Sequence, residues 1–179
     1  NLSHVELAHN QLTGDLSDLL SNTFNNFSSV MHLDVSHNRF AGDAATWQFI
    51  LRQDDADCFE SSWCRQRITN RNLSSLAAGS NFISGTINSQ FLSQFDWGSF
   101  ASLRLVDLSS NLLSGTVPNS LAGLSSLNLT GNPNMTGMLP TWVTHVGTSS
   151  YTLIDVTNVH NYSAYKANLS CPSLRVVGT

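Results

Sequence analysis

Five asparagines, Asn10, Asn38, Asn81, Asn111 and Asn132, stand at the same point of a recurring apolar pattern. Eight, five and three residues before them lie Leu2, Val5 and Leu7; Val30, Leu33 and Val35; Leu73, Leu76 and Ala78; Leu103, Val106 and Leu108; Leu124, Leu127 and Leu129. Two and four residues after the first four come Leu12 and Gly14, Phe40 and Gly42, Ile83 and Gly85, Leu113 and Gly115. The fifth copy reaches Met135 and Gly137 after a one-residue insertion. A sixth, degenerate copy places Tyr151, Ile154 and Val156 before Val159, where asparagine should stand. Self-similarity at a period of about 20–50 residues means a stack of supersecondary units, none of which buries its apolar face alone.

Each part of the pattern has a physical reading. The segment with apolar residues five and three before the Asn alternates with period two, so it is a short strand with one apolar face. The expected strands centre on 5–7, 33–35, 76–78, 106–108, 127–129 and 154–156. The Asn turns the chain out of the strand, and its amide bonds backbone groups left unpaired there. The Gly permits positive φ or close backbone approach where the chain bends back.

The string L-x-x-L-x-L-x-x-N-x-L-x-G resembles the leucine-rich repeat. The continuations from Gly115 to Pro118 (G-T-V-P) and from Gly137 to Pro140 (G-M-L-P) resemble the plant-type subclass. That resemblance implies an α/β architecture: a right-handed, curved leucine-rich-repeat solenoid with a parallel sheet on its concave face. Few short helices or 3-10 turns complete it. The 179 residues then form one domain, a piece of a longer array.

The Asn-to-Asn steps of 28, 43, 30 and 21 residues depart from a regular repeat of about 24. The step of 43 contains an insertion over 43–70. It opens on Asp43, a helix N-cap type, followed by a breaker-poor run to Arg52 that reads as a short helix. Then come Asp54, Asp55 and Asp57, the pair Cys58 and Cys64, and Arg65, Arg67 and Arg71. The step of 30 carries Phe91, Phe95, Trp97 and Phe100, expected against the convex side of the core or as an exposed aromatic patch.

Compartment follows from two further signals. Asn-X-Ser/Thr occurs at Asn1, Asn26, Asn72, Asn128, Asn134, Asn161 and Asn168, which predicts N-linked glycans on a secreted protein. Charged residues are 11% of the chain, so a glycan coat would explain its solubility. Cys58 and Cys64 suit a local disulfide, leaving Cys171 with a partner outside these residues or as a buried thiol. With no initiator Met or apolar leader at Asn1, a removed signal peptide or a fragment is expected. The protein is read as extracellular, secreted or at the cell surface.

The formal net charge of −4, with seven Arg and one Lys, gives no basic stripe for phosphates, so nucleic acid is excluded as a partner. No apolar run in these residues is long enough to span a membrane. There is no H-E-x-x-H, no C-x-x-C pair, no phosphate-binding Gly-rich loop and no G-x-S-x-G elbow. No enzyme, cofactor or metal centre is expected.

The repeat register assigns the side chains that face solvent on the concave sheet. Four residues before each Asn the column reads Glu6, Asp34, Ala77, Asp107, Asn128 and Asp155. Six before, it reads His4, His32, Ser75, Leu105, Ser126 and Leu153; one before, the first two copies give His9 and His37. His4 and His32 should be stacked neighbours beside Glu6 and Asp34. Imidazole with carboxylate suits a transition metal or a pH response, while repeat duplication alone would give solvated His–acid rungs. The candidate ligand face is His4, Glu6, His32, Asp34, Asp107 and Asp155.

Two functions fit. One is an extracellular glycosylated recognition module that binds a protein or peptide partner, as a receptor ectodomain or secreted binder. The alternative is a structural glycoprotein subunit of a coat, wall or filament that self-assembles with like subunits. A glycan on Asn128 would obstruct the concave face and favour the second.

Overall fold

The computed structural model describes residues 2–19, 29–45, 73–87, 103–119, 121, 124–137 and 140, and the backbone of 152–155 and 174–177. Within them lie twelve strands in chain order: β1 (His4–Glu6), β2 (Thr13–Asp15), β3 (His32–Asp34), β4 (Arg39–Ala41), β5 (Ser75–Ala77), β6 (Ser84–Thr86), β7 (Leu105–Asp107), β8 (Leu112–Gly115), β9 (Ser126–Asn128), β10 (Asn134–Met135), β11 (Thr152–Asp155) and β12 (Leu174–Val177). Seven make one parallel sheet in the order β1-β3-β5-β7-β9-β11-β12. Its register carries Val5, Leu33, Leu76, Val106 and Leu127 in a single row. This is the expected solenoid sheet.

The strands sit one residue earlier than the apolar pattern predicts: 4–6 where 5–7 was expected, and so on through β9. The strand is centred on the apolar residue five before the Asn. The residue three before is core and lies just past the end of the strand. Interstrand bonding still continues past the strand ends. Val35 N–H donates to the Ala77 carbonyl at 2.8 Å, and His37 N–H to Gly79 at 2.9 Å.

Inward residues form one core. Val30, Leu33, Val35, Leu73, Leu76, Ala78, Leu103, Val106, Leu108, Leu124, Leu127 and Leu129 are all buried within one cluster, with Leu7 packed against it. In the first copy Leu2 is 49% exposed and Val5 and Leu7 are half-buried. Below the strands runs a ladder of buried asparagines. Asn81 donates from Nδ2 to the carbonyls of Val35 (3.0 Å), Ala78 (3.2 Å) and Gly79 (3.2 Å), and its Oδ1 accepts from Phe40 N–H at 3.0 Å. Asn38, Asn111 and Asn132 likewise bond their own repeat and the one before. Each amide thus satisfies backbone groups that the turn removes from any ladder, which is why a polar side chain is tolerated in the core.

The residue before each ladder Asn is left-handed: His9, His37, Ser80 and Ser110 have φ of 56°, 52°, 55° and 51°, and Gly131 has 70°. The tight reversal from strand to Asn demands this, at a steric cost for any residue with a Cβ.

A second layer was not anticipated from the sequence. After each Asn the chain pairs again, as β2 with β4 and as β10-β8-β6, with Asp43 bridged to Ser84 between the two sheets. The glycines four residues after the Asn lie within or directly after these strands, at positive φ. Asp15 ends β2, and its Oδ1 accepts from Ser17 N–H at 2.7 Å, capping the helical turn at 16–19. Asp43 does the same for Ala45 N–H at 2.9 Å, so it is the N-cap its residue type suggested.

The last copies depart from expectation. β11 covers 152–155 rather than 154–156, and Leu153 pairs with Asn128. Asp155 therefore lies two positions beyond the column of Asp107 and Asn128, in which it was expected. β12, pairing parallel with β11, carries no Asn signal and was not foreseen. Of the insertion at 43–70, only 43–45 fall within the described residues. Also outside them are Cys58, Cys64, Cys171, the aspartates Asp54, Asp55 and Asp57, the arginines Arg65, Arg67 and Arg71, the aromatic run from Phe91 to Phe100, and the sequons at Asn1, Asn26, Asn72, Asn161 and Asn168.

Candidate ligand face

On the seven-stranded sheet, residues six, four and two before the Asn alternate with the buried apolar positions, so they project from the concave face. In-register pairing aligns them into straight rows across β1, β3, β5, β7 and β9. One row is His4, His32, Ser75, Leu105 and Ser126; the next is Glu6, Asp34, Ala77, Asp107 and Asn128. Successive members are one strand spacing apart, about 4.8 Å.

The histidines pair as the register predicts. The rings of His4 and His32 stack with centroids 4.4 Å apart and planes at 20°. His9 and His37, in the left-handed turn, stack at 4.2 Å and 9°. Ring nitrogens bind metal in the plane of the ring, so two face-to-face imidazoles are poorly placed to share one ion. Among the described residues no three His, Cys, Asp or Glu side chains converge as metal ligands.

The acid row has a structural task. Asp34 Oδ1 accepts from Ser36 N–H at 2.9 Å, Asp107 Oδ1 from Ser109 N–H at 2.8 Å, and Asn128 Oδ1 from Thr130 N–H at 3.2 Å. Each side chain caps the backbone two residues on, as Asp and Asn do at strand-to-turn junctions. Asn128 is tied twice more: Nδ2 donates to Asp107 Oδ2 at 3.0 Å, and Oδ1 accepts from the Thr130 hydroxyl at 2.9 Å. Its sequon begins on the last residue of β9, with its amide nitrogen engaged. Glu6 is exposed and lies beside Asp34 in the register. Like charges side by side on a sheet are unfavourable.

Of the expected face residues, the structure brings together His4, Glu6, His32 and Asp34, and places Asp107 two strands further along. It removes Asp155 from the row. Missed from the sequence was the floor between Asp34 and Asp107: Ser75, Ala77 and the buried Gly79, whose small side chains sit where larger ones stand on both neighbouring strands. The signal was present in the columns, but it is visible as a hollow only once the strands are side by side.

The fold and its Asn ladder are those of a leucine-rich-repeat solenoid, and the comparisons find it similar to plant proteins of that kind. A family model described as Leucine Rich Repeat matches residues 102–124. The chain is 32% identical over 142 residues to Receptor-like protein 39 of Arabidopsis thaliana, covering 78% of this chain and 13% of that protein. It spans only this small part of its curated relative. Among solved structures, the ectodomain of the Arabidopsis thaliana membrane receptor kinase GASSHO1/SCHENGEN3, in complex with CASPARIAN STRIP INTEGRITY FACTOR 2, superposes with a TM-score of 0.63. It is 18% identical, covering 98% of this chain and 18% of that one. A plant ice-binding protein superposes with a TM-score of 0.59 at 20% identity, covering 99% of this chain and 56% of that one. At these identities the two structures speak for the fold alone.

Proposed function

We propose that this chain is part of an extracellular, glycosylated recognition module that holds a peptide or protein partner across its concave sheet, and that it catalyses nothing. The reading rests on the straight polar row from Glu6 through Asp34 to Asp107, presented on a rigid hydrogen-bonded sheet. A stacked solenoid supplies a large pre-formed surface whose outward positions vary without cost to the core. The receptor-like relative described above is in keeping with it. Acids in that row favour a basic partner, chiefly through specificity and association rate. The half-buried side chain of Asn128, held by Asp107 and by Thr130, also supports an open face, because a glycan there would have to fit among these contacts.

The test is selection of binders from a random linear peptide library on the secreted protein. Charge reversal at Asp34 and Asp107 together should abolish their binding. Binding that survives the double reversal sinks the concave-face site and leaves the structural-subunit alternative, in which contacts gather at the solenoid ends and the 43–70 insertion.

A further inference from the structure

The geometry points to a single-arginine subsite over β5, where a guanidinium from the bound partner lies between His32 and Leu105 and is neutralised by Asp34 and Asp107. This inference rests on the concave-face reading and names the anchor that face would take.

Three features converge there. The first is an unfinished stack. His4 lies on one face of the His32 ring at 4.4 Å. On the other side the next rung is Ser75, and beyond it stands Leu105, 44% exposed. His32 and Leu105 are two strand spacings apart, about 10 Å. A planar group placed over Ser75 would sit about 4.8 Å from each, continuing the stack at nearly the spacing the two histidines already adopt.

The second feature is charge. In the adjacent row, Ala77 separates the carboxylates of Asp34 and Asp107, each one strand spacing away. Asp34 spends one oxygen on its backbone cap, and Asp107 gives one to its cap and the other to Asn128, yet a carboxylate offers about four acceptor positions, so each can take a further donor. Asp107 reaches to both sides: its Oδ1 is 3.1 Å from where a Cβ on Gly79 would stand, at the end of the floor, while its Oδ2 takes Asn128 Nδ2.

The third is the floor. Ser75 and Ala77 present little side chain, which leaves a hollow one strand wide with a ring wall, an aliphatic wall and an acid at each side. A guanidinium is flat, stacks on rings, stays charged and carries five donors in a fork, so it satisfies walls and acids together. An ammonium is a compact, strongly hydrated charge that gains nothing from the stack.

The experiment uses the same random linear peptide library on the secreted protein, and the enriched peptides are then synthesised. We expect binders that contain an arginine whose replacement by lysine weakens binding at least tenfold. Ser75→Phe should fill the hollow and Asp34→Asn should remove its charge, each with a similar loss. Asparagine at position 34 keeps the cap to Ser36, as Asn128 does for Thr130, so an unchanged urea midpoint is expected. Leu105→Ser provides an independent variant if Ser75→Phe folds poorly. Binders lost on double charge reversal at Asp34 and Asp107, yet indifferent to arginine-to-lysine exchange and to the Ser75 and Leu105 changes, overturn the subsite and leave the concave face standing. Binders indifferent to every one of these variants, or a library that yields no concave-face binder, overturn both.

Discussion

The Cγ2 methyl of Thr86 lies 2.9 Å from where a side-chain carbon on Gly115 would stand. Thr86 ends β6, Gly115 ends the next strand of that sheet, and the glycine has φ of +78°. The same contact recurs along the solenoid, between Asp15 and Gly42, Asp43 and Gly85, and Thr116 and Gly137. Each repeat thus seats its outer-sheet side chain in the space left by the glycine of the following one. Glycine is required here twice, by backbone conformation and by packing.

Gly115→Ala should therefore destabilise the fold by about 2–4 kcal/mol, combining left-handed strain with overpacking against Thr86. Thr86→Ser removes the offending methyl. In the double variant the packing part should be recovered while the conformational part stays. Urea unfolding of the four proteins reads the coupling directly, and strict additivity would show that Thr86 and Gly115 do not meet.

Asn111→Ala strips the carbonyls of Ala78, Leu108 and Ser109 of a donor and leaves Ile83 N–H without its acceptor. With each buried unsatisfied group costing about 1–3 kcal/mol, a loss of at least about 3 kcal/mol is expected. Asn10, exposed and bonded only to Leu7 and Ala8 of its own repeat, should tolerate the same change at under about 1 kcal/mol. Equal losses at the two sites would mean that the ladder between repeats is not what makes the asparagine matter.

Ser110 holds φ of 51° with its side chain exposed. Ser110→Gly relieves a left-handed penalty of about 1–2 kcal/mol and gives back about 0.5–1 in unfolded-chain entropy. A net gain of up to about 1 kcal/mol should raise the urea midpoint. A lowered midpoint would show that the hydroxyl carries more than the backbone strain costs.

Asn134 is exposed at the start of β10, whereas Asn128 is half-buried in β9 with Nδ2 bound to Asp107. Glycopeptide mapping of protein expressed through a secretory pathway should find sugar on Asn134 and none on Asn128. Sugar on Asn128 would close the concave face and require the assembly reading instead.

The fixed offsets of Leu33, Leu76, Val106 and Leu127 from their asparagines were enough to place the strands, the core and the Asn ladder. Burial and turn chemistry act at short range along the chain, and they leave a mark at every repeat. They also put His4 beside His32, because identical offsets mean adjacent rungs. What they could not give was anything set by the partner strand. The ladder bonds centre the strands one residue early, and the pairing of Leu153 with Asn128 carries Asp155 out of its expected column. The second layer escaped notice because each copy offers one recurring apolar residue after the Asn, such as Phe40, Ile83 or Leu113, before a glycine breaks the alternation, so no apolar period announces it. The hollow over Ser75 and the bond from Asn128 to Asp107 exist only between repeats, across about 4.8 Å of strand spacing and 21 to 43 residues of sequence. One-dimensional order told which side chains reach the concave face. Lateral stacking alone decided which of them touch, because register is a property of two strands and not of one.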